Sequence, residues 1–205
     1  ELEYTDKKFI WDHMADFQRA YGRLYDDKSR RIFTNILNYR ISKDEAYLKR
    51  MNADVDNEKY QYFARELFDF RQDECFLDIG AYTGDTFDTF FEVYAGGFEN
   101  YHGFEADREI YDRLLTHLQE KYQSCIGKCH TYNVAAWDEN TELHFEENPG
   151  SSEMKESDGF GNIVDGRKID EVLGNRKITF IKMDIEGAEF HALTGMQDII
   201  RKNRP

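Results

Sequence analysis

Up to about residue 70, apolar residues recur at three- and four-residue steps; beyond that, short apolar runs alternate with helical stretches. Ile10, Met14, Phe17, Tyr21 and Leu24 share one helical face. Asp26-Asp27 stands as a cap ahead of Ile32, Phe33, Ile36 and Leu37, which mark a second helix. Ser42 followed by Glu45 has the spacing of a capping box and predicts a short helix through Met51. A fourth helical stretch is expected through Tyr62, Phe63, Leu67 and Phe68. Residues 1–72 therefore read as an N-terminal helical extension. Its stripes are expected to dock on a neighbouring domain, with a lid facing a substrate as the alternative.

From residue 73, Cys75-Phe76-Leu77-Asp78-Ile79 is an apolar run ending at Gly80, the mark of a buried strand. A helix over 86–95 carries Phe87, Phe90, Phe91 and Tyr94 and stops at Gly96-Gly97. The pattern then predicts a strand at Tyr101–Phe104, a helix from Asp107, a strand around His130–Ala135 and another at Leu143–Phe145. The segment from Asn148 to Gly161 reads as a long polar loop. Ile178–Met183 predicts a strand, and Ala188–Ile200 one helix with Ala192, Leu193, Met196 and Ile200 on a single face. Such alternation defines an α/β protein with a doubly wound, mostly parallel sheet covered on both faces.

Composition narrows the classes of function. With 205 residues, 40% of them hydrophobic, and with 16 Phe and 13 Tyr, the chain has the material for a sizeable core. Lys and Arg number 27 against 41 Asp and Glu, a net charge of −14 that repels nucleic acid and anionic membranes. No apolar run reaches the ~18 residues of a bilayer span, and Glu1-Leu2-Glu3-Tyr4 does not begin a signal peptide, so a cytoplasmic protein is expected. Cys75, Cys125 and Cys129 read as free thiols, since Cys125, Cys129 and His130 lack the second ligand pair of a structural zinc site.

Three segments carry chemistry. Asp78-Ile79-Gly80-Ala81-Tyr82-Thr83-Gly84-Asp85-Thr86 lies where a first strand turns into a first helix, the place where such sheets bind ligands. The dinucleotide fingerprint needs Gly where Tyr82 stands, which argues against a pyrophosphate. An acid before Gly80 suits a ligand with a cationic amino acid end, as S-adenosylmethionine has. Phe104-Glu105-Ala106-Asp107 ends the second strand, and a carboxylate there accepts hydrogen bonds from both hydroxyls of a ribose. A solvated Glu105 ahead of an Asp107 N-cap is the plainer alternative. Lys182-Met183-Asp184-Ile185-Glu186-Gly187-Ala188-Glu189 sets three carboxylates at the end of a strand expected beside the first. For Glu186 and Glu189, the helix dipole supplies a second explanation.

The chain resembles the FkbM-type class I methyltransferases, which use S-adenosylmethionine to methylate hydroxyl groups. The resemblance rests on Asp78–Thr86, Phe104–Asp107, Asn133-Val134-Ala135-Ala136-Trp137 and Lys182–Glu189, followed by Ala192-Leu193 and Gly195, and Tyr25–Ser29 with Tyr60–Phe63 also looks like the helical leader of some members. It implies a Rossmann-like S-adenosylmethionine-binding domain over 73–205. It also implies a longer native chain, since three further strands follow in such folds. Gly80 and Ala81 would approach the methionine part, with Tyr82 and Gly84 in the turn between them and with Asp85 and Thr86 at the helix N-terminus nearby. Glu105 would hold the ribose, while Ala106, Val134, Ala135 and Ala136 would flank the adenine. Asp184 would lie nearest the methyl group and is the first choice for the base that an alcohol nucleophile needs, with Glu186 second. The implied acceptor is a sugar or glycan hydroxyl. Two carboxylates are few ligands for a divalent cation, and no metal is assigned. A nicotinamide-dependent oxidoreductase and a non-catalytic nucleoside-binding domain are the rival readings.

Overall fold

The computed structural model describes residues 7–54, 61–64, 69, 71–148, 151–155 and 162–205. The chain forms two compact units, Glu1–Gln61 and Tyr62–Pro205.

The first unit consists of α1 (Lys7–Asp12), α2 (Met14–Arg23), α3 (Asp27–Ser42) and α4 (Ala46–Asp54). Asp26 caps α3, its Oδ1 accepting from the Ser29 backbone N–H at 2.7 Å. Ser42 does not open the next helix. It is the last residue of α3 and its hydroxyl donates back to the Asn38 carbonyl, while Asp44 Oδ1 takes the Ala46 N–H at 2.9 Å. An Asp two residues ahead of the first free amides satisfies them better than a serine already used by the preceding turn. An aromatic seam joins these helices, with Phe17 and Phe33 at 6.4 Å and Tyr21 and Phe33 at 6.2 Å between ring centroids.

In the second unit β1 (Cys75–Ile79) leads to α5 (Asp85–Val93), and β2 (Asn100–Phe104) leads to α6 (Arg108–Lys121). A 3-10 turn over Gln123–Lys128 precedes β3 (Cys129–Tyr132). Then come β4 (Ala135–Ala136), β5 (Thr141–Asn148), β6 (Ser151–Lys155) and β7 (Asn162–Arg167). The unit closes with α7 (Ile169–Leu173), β8 (Phe180–Met183), α8 (Glu189–Gly195) and α9 (Gln197–Asn203). Strands β3, β2, β1 and β8 form a parallel sheet in that order, with Phe76 opposite Phe180 and Ile79 opposite Met183.

Side-chain alternation along β1 explains the layers. Phe76 faces an aromatic core shared with Phe87, Phe90, Tyr101, Leu114 and Leu118, so α5 and α6 cover that side. Leu77 and Ile79 face the opposite core of Ile169, Leu173, Ala192, Met196 and Ile199, so α7, α8 and α9 cover the other. This is a doubly wound, Rossmann-like arrangement. Asp107 caps α6 through the Ile110 N–H at 2.8 Å, as its place in the sequence predicts.

Four expectations need correction. The segment expected as a loop from Asn148 to Gly161 holds β6, and β5, β6 and β7 build a second sheet in the order β4-β7-β5-β6; the strand expected at Leu143–Phe145 lies within β5, and 149–150 and 156–161 lie outside the described residues. The third predicted strand is split, because Tyr132 ends β3 whereas Ala135-Ala136 pairs with β7. The last helix breaks at Met196, which caps α9, so Ile199 is fully buried, Ile200 is partly buried against the same core, and Leu193, expected on the apolar face, is 46% exposed. The expected helix through Tyr62 and Phe63 is a turn at 61–62 with no regular element at 63–64; Leu67 and Phe68 lie outside the described residues. Phe63 inserts into the aromatic core instead, 5.7 Å from Phe180 and 5.8 Å from Phe76. Among the described residues, no helix is long and apolar enough to cross a membrane.

Candidate active site

The carboxyl ends of β1, β2 and β8 lie side by side, and the turns that leave them build one cleft. Gly80 follows β1 with φ +79. A Cβ there would fall 2.1 Å from the Asp184 carbonyl oxygen, so only glycine lets the ends of β1 and β8 come this close. The N–H groups of Gly80 and Ala81 both donate to the Phe104 carbonyl, at 3.0 and 2.9 Å, tying the turn to β2. Tyr82 holds φ +48 with its side chain half exposed, a conformation that costs an L-residue about 1–2 kcal/mol.

That twist turns the Tyr82 N–H toward Glu105. Glu105 Oε2 accepts it at 3.0 Å, and Oε1 accepts the Asp107 N–H at 2.9 Å. The carboxyl is 9% exposed, and burial raises its pKa above the usual glutamate value against the pull of those two amides. Asn133 fixes the same corner, its amide donating to the carbonyls of Glu105 and Ala106 at 3.0 Å each.

At the end of β8 the chemistry differs. Asp184 is exposed, and its Oδ2 accepts the Tyr62 hydroxyl at 2.8 Å. Glu186 is exposed as well and has φ +50. Glu189 closes the loop, its Oε2 accepting the Gly187 N–H at 2.9 Å and its Oε1 the Ile185 N–H at 3.3 Å. Beneath the loops Lys182 donates to the Gly80 carbonyl at 2.7 Å, lies 3.2 Å from Asp78 Oδ1 and sits 5.4 Å from the centre of the Tyr62 ring. Asp78 is wholly buried and Tyr101 donates to its Oδ2 at 3.1 Å. Burial pushes its pKa up to about 6, with Lys182 drawing it the other way.

The cleft encloses about 210 Å³. Of the residues singled out in the sequence, Gly80, Tyr82, Glu105, Ala106, Val134, Ala135, Ala136, Asp184 and Glu186 line it. Asp78 and Ala81 are buried beneath it, Gly84 opens α5, and Asp85 borders a different hollow, together with Asp88 and His117. Thr86 lies in the first turn of α5, its N–H taken by the Asp85 carboxylate at 2.9 Å. Ile79, Phe104, Ile110 and Ile185 also line the cleft; the sequence assigns them no role in the site, because apolar character signals burial and nothing more. Tyr62 reaches the site from 122 positions away in the chain, which no local spacing reveals. Trp137, 3% exposed, ends the motif beyond Ala136 and stacks on His191 at 3.8 Å, with His191 in turn 3.0 Å from Asp138.

The sequence pattern of the methyltransferase FkbM domain matches residues 78–205, well over half of the chain. The chain belongs to the FkbM methyltransferase domain family. A crystal structure of methyltransferase FkbM from Methylobacillus flagellatus KT superimposes on it with a TM-score of 0.79 at 25% sequence identity. The match covers 97% of this chain and 48% of that one, so the chain spans about half the length of this FkbM relative. None of the curated proteins matches the chain. The FkbM match begins at the buried Asp78, so the helical unit and Tyr62 precede it.

Proposed function

We propose that this chain carries the S-adenosylmethionine-binding part of an O-methyltransferase whose acceptor is a hydroxyl of a sugar or glycan. The observation that carries the reading is Glu105. A nearly buried carboxylate, fixed by two backbone amides at the end of the second strand, faces the same cleft as the apolar wall of Val134, Ala135 and Ala136. That pairing suits a nucleoside, whose ribose presents two donors to a carboxylate and whose base needs a dry, flat contact. The amides there serve Glu105 rather than a phosphate, which disfavours a pyrophosphate-bearing dinucleotide.

Glu105 would hold the ribose, Ala106 and the 134–136 segment would flank the adenine, and Gly80 would border the methionine part. Bound S-adenosylmethionine supplies a sulfonium methyl, whose transfer forms a C–O bond to the acceptor, breaks the C–S bond and leaves S-adenosylhomocysteine. The protein's own tasks are to hold the acceptor hydroxyl in line and to accept its proton. Asp184, an exposed carboxylate on the lip of the cleft, is the group for that proton, and Glu186 is the neighbouring alternative.

Calorimetric titration with S-adenosylhomocysteine tests the reading. Wild type should bind, and Glu105→Gln should bind about 10- to 100-fold more weakly, the loss of a charged hydrogen-bond acceptor. Equal affinity in the two proteins would remove Glu105 from the site, and no binding to wild type would remove the cofactor.

A further inference from the structure

We infer that Tyr62 is a positioning residue for Asp184, fixing which carboxylate oxygen receives the acceptor proton. The inference rests on the reading of Asp184 as the base. Tyr62 lies outside every sequence motif of the site and outside the family match, yet its hydroxyl donates to Asp184 Oδ2 at 2.8 Å.

Two features hold Tyr62 in place. Phe63, 1% exposed, is plugged among Phe76, Phe90 and Phe180, which anchors the backbone next to Tyr62. Lys182 lies 5.4 Å from the ring centroid, so a cation faces the aromatic ring. Lys182 is itself immobile: it is nearly buried, pairs with Asp78 and donates to the Gly80 carbonyl. One ammonium thereby steadies both the turn that borders the cofactor cleft and the phenol that orients the base.

The chemical consequence is an asymmetric carboxylate. Oδ2 is occupied by a hydrogen bond from Tyr62, so the acceptor hydroxyl is directed to Oδ1, and its proton passes to Oδ1 while Tyr62 keeps its own. The other charged groups around Asp184 are Glu186 and Glu189 on its own loop, Glu105 and Asp107 at the end of β2, and Lys182 with Asp78 beneath the Tyr62 ring. Removing the phenolic hydroxyl leaves a ring of the same shape over Lys182 and leaves this set of charges intact.

Tyr62→Phe provides the test, in the full native chain. Radiolabelled methyl transfer to cell extract should fall about tenfold at saturating S-adenosylmethionine, the weight of one charge-assisted hydrogen bond, with the KM for S-adenosylmethionine unchanged. In an Asp184→Asn background the same substitution should change the residual rate less than about twofold, since the hydroxyl acts through that carboxylate. S-adenosylhomocysteine affinity should stay within about twofold, because the hydroxyl does not touch the cofactor cleft. Unchanged transfer by Tyr62→Phe overturns the inference, and so does a loss of cofactor affinity that accounts for the whole loss of transfer. The underlying reading fails separately: Asp184→Asn retaining full transfer would remove Asp184 as the base whatever Tyr62→Phe does to the rate.

Discussion

The turns that leave β1 and β8 use the same backbone device for opposite purposes. Each places a non-glycine residue in the left-handed region, Tyr82 in the first and Glu186 in the second, and each follows or precedes it with a left-handed glycine. In the first turn the twist presents a backbone N–H, which Glu105 takes up, so this side of the cleft is built from fixed donors and acceptors. In the second the backbone amides are consumed inward by Glu189, and two carboxylates are left facing solvent. Strained turns collect where geometry must be held against local preference. Here one turn is closed by fixed hydrogen bonds and the other displays exposed carboxylates, and the two meet because glycine stands at Gly80.

Gly80→Ala breaks the comparison at that meeting point and should have the largest effect. Its Cβ would overlap the Asp184 carbonyl and sit 3.1 Å from Ile185 Cγ2, at a φ that disfavours any side chain. A loss of roughly 3 kcal/mol or more is expected in urea denaturation, from strain and overpacking together. A loss below about 1 kcal/mol would mean that the two strand ends are not clamped together.

Lys182→Met removes the group that lies beneath both turns and should cost about 3–5 kcal/mol at pH 7, because Asp78 is left buried without its counter-charge. The pH dependence has a definite sign. The folded pKa of Asp78, about 6, lies above its value in the unfolded chain, so its contribution is complete below about pH 4 and is lost as pH rises through 6. At pH 4, with Asp78 protonated, the same substitution should cost much less. Equal losses at pH 4 and pH 7 in urea melts would assign the effect to packing alone.

The smallest effects sharpen the contrast. Tyr82→Gly and Glu186→Gly each relieve a left-handed conformation, and each should raise stability by up to ~1 kcal/mol in thermal melts once the extra freedom of glycine in the unfolded chain is subtracted. Only Tyr82→Gly should also weaken S-adenosylhomocysteine, since its backbone N–H must stay aimed at Glu105.

The parallel sheet was legible because its strands are buried on both faces and read as unbroken apolar runs ending in glycine or an acid, as Cys75–Ile79 does. Of the second sheet little beyond a short strand at Leu143–Phe145 was legible, because strands such as Thr141–Asn148 carry mostly polar residues and bury Leu143 as their described anchor. The break at Met196 was hidden since Met196 itself continues the apolar face of α8. Within the cleft, motif spacing drew attention to residues that follow strands, such as Glu105 and Asp184. It could not separate Asp78, which belongs to the same motif as Gly80 but points into the aromatic layer, from residues that reach the cleft. Tyr62 was hidden for a different reason: its role is created by Phe63 seating in a core assembled from distant strands.

The stacking of Trp137 on His191 has an optical consequence. The chain has two tryptophans: Trp11, 57% exposed on α1, and Trp137, 3% exposed behind the cleft. Trp11 already emits as an indole in water, so unfolding changes its spectrum little. Trp137 exchanges a dry site and a ring 3.8 Å away for solvent, and a red shift of the intrinsic emission therefore reports on the α/β unit alone.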